Sequence, residues 1–119
     1  MPQTVTRSKP PANRLLATLP RKEYQQLLTK LEQTNLSFGS SVYEPGETIR
    51  YVYFPTSGII SLLATEGNGS NLEVGIVGRE GMVGAPVFMG VKPSRNRAVV
   101  QGAGAALKMM LVLPPHTPH

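Results

Sequence analysis

Residues 51–65 read Tyr51-Val52-Tyr53-Phe54-Pro55-Thr56-Ser57-Gly58-Ile59-Ile60-Ser61-Leu62-Leu63-Ala64-Thr65, two apolar runs divided by a Pro-to-Gly break. Tyr51–Phe54 is aromatic and β-branched, which predicts a strand, and Ile59–Thr65 predicts the next. Pro55-Thr56-Ser57-Gly58 between them predicts a stop, because proline withdraws an N–H and glycine accepts positive φ. Beyond them Glu66-Gly67-Asn68-Gly69-Ser70 reads as a hairpin loop, after which Leu72, Val74 and Ile76 alternate up to Gly78. Upstream, Thr34, Leu36 and Phe38 alternate as well, and Glu44-Pro45-Gly46-Glu47 has turn chemistry. Downstream, Arg97–Gln101 and Ala106–Met110 predict two further strands. Short strands at regular spacing describe a mainly β domain, whether a sandwich, a jelly roll or a small barrel.

Ahead of the strands the period is helical. Leu15, Leu16 and Leu19, then Tyr24, Leu27, Leu28 and Leu31, recur at three- and four-residue steps. They predict a short helix over 13–18 and a longer one over 20–33. Pro20 suits a helix start, and Glu23 lies near the positive end of the dipole. The leucine stripe is expected to pack on the rest of the domain.

The 119 residues suit one domain, and 12 glycines with 11 prolines argue against long uninterrupted helices. Three units are expected: a flexible basic lead over 1–12, the domain itself over 13–110, and a disordered Pro/His tail over 111–119. The net charge is +5, and all seven acidic residues are Glu. Without Asp there is no Asp metal ligand, general base or triad member. Without Cys there are no disulfides, thiolate metal sites or cysteine nucleophiles. Both histidines, His116 and His119, lie in the Pro-rich tail with no further ligands beside them, so no metal centre is expected. Serine nucleophiles lack a histidine base in the body of the chain, Lys92 and Ser94 carry no supporting signature, and Glu73 with Glu80 has no specific spacing. An enzyme is not expected. No run approaches the ~18 apolar residues of a membrane span, and Met1–Asn13 lacks the apolar core of a signal peptide. A cytoplasmic protein without a membrane partner is expected.

The richest segment is Gly78-Arg79-Glu80-Gly81-Met82-Val83-Gly84-Ala85-Pro86. Glycines let a backbone approach an anion closely. The loop Lys92-Pro93-Ser94-Arg95-Asn96-Arg97 could bring a guanidinium to the same place, where its planar fork suits phosphate.

Taken together, Gly39-Ser40-Ser41-Val42-Tyr43-Glu44-Pro45-Gly46-Glu47, Val52-Tyr53-Phe54-Pro55-Thr56-Ser57-Gly58 and Glu73–Gly84 resemble the cyclic-nucleotide-binding-like domain of Crp/Fnr-type transcription regulators. Arg95-Asn96-Arg97-Ala98-Val99-Val100 is similar to the exit strand of that family's phosphate-binding cassette. The resemblance covers roughly Asn13 to Met110. It implies an antiparallel β-roll or jelly roll (a double-stranded β-helix) with N-terminal helices, a short cassette helix at 82–87, and a homodimer. It also implies a pocket for a small anionic ligand, cyclic AMP or cyclic GMP, between cassette and roll. The implied ligand contacts are Gly78, Glu80, Gly81, Met82, Val83, Gly84, Arg95, Arg97 and Ala98, with either Arg95 or Arg97 as the phosphate clamp. The family's ribose-binding carboxylate has no match: Val83 stands at its position, and Glu80 lies upstream. A buried ribose hydroxyl left unpaired costs ~1–3 kcal/mol. No recognition-helix pattern occurs, so DNA binding by this chain alone is not expected. The resemblance implies the ligand-sensing part of a regulator truncated before its dimerisation helix and DNA-binding domain. The alternative is a ligand-free β-roll used as an interaction or dimerisation module.

Overall fold

The computed structural model describes residues 12–46, 50–65, 69, 71–84 and 96–110. Two helices, α1 (Arg14–Ala17) and α2 (Arg21–Leu28), precede five strands: β1 (Leu31–Leu36), β2 (Ser41–Tyr43), β3 (Tyr51–Thr65), β4 (Asn71–Val77) and β5 (Asn96–Met110). All pairings are antiparallel, as a β-roll requires. No described helix is long and apolar enough to cross a membrane, and no described cluster of acidic or histidine side chains could hold a metal ion. His116 and His119 lie outside the described residues.

β3 and β5 form the spine. They pair from Tyr51↔Met110 to Ala64↔Asn96, and every other strand attaches to one of them. β1 lies on β5 from Leu31↔Met109 to Leu36↔Gly104, β2 meets β5 at Val99 and Ala98, and β4 runs on β3 from Ile60↔Val77 to Thr65↔Asn71. The predicted stop at residues 55–58 is therefore not a stop. The two runs of residues 51–65 are one strand, and so are 97–101 and 106–110. The pairing register instead shifts three times between Pro55 and Ile60. Bulges of this kind are where a strand tolerates proline and bends sharply. Side chains repair the ladder there: the Ala105 N–H donates to Ser57 Oγ (3.0 Å), and Thr56 Oγ1 donates to the Ala105 carbonyl (3.2 Å).

The bend depends on glycine at two facing positions. Gly58 has φ +85°, and a Cβ on it would lie 2.6 Å from the Gly102 carbonyl oxygen. A Cβ on Gly104 would lie 2.5 Å from the Gly58 nitrogen. The two backbones touch directly, with no room for a side chain between them.

Alternation then divides the core. Val52 and Phe54 point to one face of β3, joining Leu31 and Leu107 beneath Leu16, Tyr24 and Leu28 of the helices. The leucine stripe thus packs as expected. On the other face Ile60, Val100, Ala98 and Ala106 fill the roll with Leu36, Tyr43 and Val83. A fully buried Leu or Ile contributes ~1.5–3 kcal/mol, so both clusters hold the fold. The predicted helix over 20–33 overran: α2 ends at Leu28, and Leu31–Gln33 belong to β1. Leu31 is buried, which suits a helical step as well as a strand, and it is the hydrogen-bonded ladder with β5 that selects the strand.

Replacing Gly58 or Gly104 by Ala is expected to destabilise by about 2–4 kcal/mol, combining left-handed strain at Gly58 with overpacking at both. Gly39→Ala, also at positive φ but in open space, is expected to cost only the strain of ~1–2 kcal/mol. Urea unfolding of the three variants checks the ranking.

Candidate functional site

Asn13 is a fully buried polar side chain with every polar atom engaged. Its Oδ1 accepts from the Leu16 N–H (3.0 Å), capping α1. Its Nδ2 donates to the Pro55 carbonyl (2.8 Å) and the Gly81 carbonyl (2.9 Å). Beside it the Arg14 N–H donates to the Arg79 carbonyl (2.6 Å). The head of the N-terminal helices is thereby fastened both to the bend of β3 and to the loop over 78–84. A cap before Leu15 is legible from the sequence. The bonds to Pro55 and Gly81, 42 and 68 residues away, are not.

The loop itself is tightly wound. The Gly81 N–H donates to the Gly78 carbonyl (3.2 Å), and Val83 exchanges two backbone hydrogen bonds with Tyr53, each 2.9 Å. The Glu80 carboxylate folds back to accept from the Gly78 N–H (3.0 Å). The Gly78 N–H, then Glu80's own N–H, and more weakly the Arg14 and Arg79 charges hold this carboxyl below the usual carboxylate range. The anion that the glycine-rich loop cradles is thus its own side chain. An external anion reaches these N–H groups only by displacing it.

The remaining residues of the expected site scatter. Val83 is a core residue, 3% exposed and extended, so no helix begins at Met82 as expected, and its side chain faces the roll interior. Met82 packs toward the helix cluster, and Gly84 is buried at positive φ. Ala98 is fully buried in the roll. Arg97, its neighbour on β5, points to the opposite face, where Nε donates to Glu44 (2.9 Å). Glu44 also accepts from the Ser41 hydroxyl. That hydroxyl, and next Arg97, hold the Glu44 carboxyl below its ordinary range. The register separates Arg97 from the loop: it lies opposite Leu63 on one side of β3, whereas Val77 lies opposite Ile60 on the other. Arg95 and residues 85–87 of the expected cassette helix lie outside the described residues.

One polar cluster escaped the sequence reading. Ser61, 3% exposed, donates to Glu73 (2.7 Å) and contacts the Gln101 side chain, joining β4, β3 and β5 on their outer face. Alternation marks a Ser between apolar residues as outward, but only the sheet order brings these three side chains together.

The sequence matches the model of the cyclic nucleotide-binding domain over residues 33–110. No curated protein sequence matches the chain. Among solved structures, the regulatory subunit of a cAMP-independent protein kinase A from Trypanosoma brucei, a mutant bound to cAMP in its A site, has a TM-score of 0.78 at 19% identity. That alignment covers 88% of this chain and 39% of that one, so the chain spans about two fifths of the kinase subunit. The N-terminal domain of a Streptomyces coelicolor transcriptional regulator has a TM-score of 0.69 at 19% identity, covering 87% of this chain and 71% of that one. The catabolite activator protein of Thermus thermophilus has a TM-score of 0.68 at 17% identity, covering 82% and 46%. At these identities the likeness is one of fold.

Asn13→Ala is expected to lose about 2–4 kcal/mol, the cap together with two buried carbonyls left unpaired. Asn13→Asp, an equally good cap, is expected to be at least as harmful, because it turns an acceptor toward the Pro55 and Gly81 carbonyls. A neutral Asn13→Asp in thermal melts would show that Asn13 only caps α1. Glu80 contributes stability that is present above the ordinary Glu range and is lost as pH falls through its depressed folded value. Glu80→Gln is therefore expected to flatten the acid limb of a stability-versus-pH curve.

Proposed function

Because the chain belongs to the cyclic nucleotide-binding domain family, we propose that it is the ligand-sensing regulatory domain of a Crp/Fnr-like transcription regulator. Its role is binding rather than catalysis, and its ligand is a small anion of the cyclic AMP or cyclic GMP class. The observation that carries this reading is the double fastening of the loop over 78–84. Val83 ties it to Tyr53 of the roll, and Gly81 and Arg79 tie it to Asn13 and Arg14 at the head of the helices. A ligand seated on the loop would strain bonds on both sides, and the helices would carry the displacement to the rest of a regulator.

Within this reading Gly78, Glu80, Gly81, Met82 and Gly84 shape the loop, and Ala98 shares the core of the roll with Val83. Arg97 is held by Glu44, which favours Arg95 as the anion contact. Glu80 acts as an internal competitor for the loop's N–H groups, so that its removal opens them. A second reading, a ligand-free β-roll used for interaction or dimerisation, is favoured by one observation: Val83, at the expected place of the ribose carboxylate, is buried in the core.

Differential scanning with cyclic AMP and cyclic GMP separates the two. A ligand at ~100 times its dissociation constant stabilises by ~2.7 kcal/mol. Arg95→Ala is expected to abolish the shift, Arg97→Ala to reduce it less, and Glu80→Ala to enlarge it. Absence of any shift with either nucleotide, in wild type and in Glu80→Ala, would leave the ligand-free module as the function.

A further inference from the structure

The alternation of Leu72, Val74 and Ile76 is not the one that β4 uses. Period-two spacing places all three on one face of a regular strand. In the fold, residues 71–73 lie opposite Thr65, Ala64 and Leu63, residues 75–77 lie opposite Leu62, Ser61 and Ile60, and Val74 has no register partner on β3. This bulge keeps Leu72 on the inner face with Ala64 but turns Ile76 to the outer face with Ser61 and Glu73. The inner places opposite Leu62 and Ile60 go to Gly75 and Val77, and Val77 packs on the core of the roll. Val74 and Ile76 are left more than half exposed. A second register is open to the same residues. Residues 71–73 keep their partners, Val74 takes the place opposite Leu62, Ile76 takes the place opposite Ile60, and Val77 turns outward. Two apolar side chains then face the roll where Val77 alone does now, which favours burial. Space opposes it: a Cβ on Gly75 would lie 3.4 Å from Leu62 Cδ1, so a valine opposite Leu62 is overpacked. A local pattern at odds with the fold around it marks a segment under two demands.

We propose that residues 74–77 slip by one place on β3 between these two registers, and that the slip is the device that opens the loop over 78–84. The near end of β4 is the pivot. Glu73 lies opposite Leu63 in both registers, so its bond from the Ser61 hydroxyl (2.7 Å) is kept. The far side of the loop is anchored three times: the Arg79 carbonyl on Arg14, the Gly81 carbonyl on Asn13, and Val83 on Tyr53. In the observed register Gly78 alone joins the strand to Arg79, whereas after the slip Val77 and Gly78 both do. One further residue adds up to ~3.3–3.6 Å of reach. That slack lets the Gly78 N–H part from the Glu80 carboxylate while all three anchors stay made. The two arrangements are discrete, because a strand side chain faces either the core or the solvent. The inference goes beyond the ligand reading and stands whether or not the loop binds an anion.

The chain has no cysteine, so a single cysteine at 76 or 77 reports which face it occupies. Ile76→Cys is expected to react quickly with iodoacetamide, and Val77→Cys slowly. Leu62→Ala makes room opposite Val74, and relief of the overpacking is expected to raise the rate at Val77→Cys about tenfold while lowering the rate at Ile76→Cys. Adding Val74→Lys, whose charge the inner face rejects, is expected to restore both rates. In the Leu62→Ala chain the Gly78 amide is expected to exchange its hydrogen faster, with the Val83 amide unchanged. In the wild type, relaxation dispersion is expected over residues 74–80 and not over 71–73. Melting curves establish that each variant is folded, and Leu62→Val, a smaller truncation, serves the same comparison if Leu62→Ala is not. Cysteine rates that rise together, as general loosening of the strand produces, would overturn the proposal. So would rates that do not move, a Gly78 amide that exchanges no faster, or a wild type without dispersion over residues 74–80.

Discussion

The whole architecture rests on one antiparallel ribbon, β3 against β5, and on the two glycines that let it bend. β1 and β2 attach to β5, whereas β4 and the Val83 bridge attach to β3, so no strand has a place until the ribbon has its register. A straight ribbon would yield one flat sheet with two solvent faces. The contact of Gly58 with Gly104 folds it over, and the three register shifts between Pro55 and Ile60 absorb the curvature. Closing the interior in this way buries Ile60, Ala98 and Ala106 completely, which no single sheet of this length could do.

Asn13 links that bend to the loop over 78–84. Its Nδ2 bonds the Pro55 carbonyl, within the bulged stretch, and the Gly81 carbonyl, within the loop, while its Oδ1 starts the first helix. A buried amide with three partners is stable only if all three stay in place, since each unpaired buried group costs about 1–3 kcal/mol. The helices, the bend and the loop therefore move together or not at all. The Gly78 N–H is occupied by the Glu80 carboxylate and those of Gly81 and Val83 by backbone carbonyls, so much of the segment that looks most like an anion site is internally satisfied at rest.

Much of this was legible in the residues. The aromatic and β-branched runs located the strands, the leucines located the helices, and the turn glycines Gly39, Gly46 and Gly58 do take positive φ. Three readings failed for a common reason. Pro55 to Gly58 looked like the end of a strand because proline and glycine break ladders locally, yet Thr56 and Ser57 side chains repair this ladder against a partner about 50 residues away. Leu31 to Gln33 looked helical because an apolar residue at a helical step also suits a strand. Met82 looked like the start of a short helix because the pairing of Val83 with Tyr53, which holds it extended, leaves no mark in its own neighbourhood.

By itself the sequence determined the chemistry and the class. With no Cys or Asp, it excludes thiolate chemistry and Asp-based sites, and its alternating runs demand a β fold whose apolar faces must meet. Tertiary structure alone decided which groups are already satisfied, that Arg97 faces Glu44 and that Glu80 faces Gly78, and that Leu72, Val74 and Ile76 stay exposed. The physical reason is range. Periodicity and turn chemistry act over a few residues, whereas hydrogen-bond satisfaction and burial are settled between segments that only the folded ribbon brings into contact.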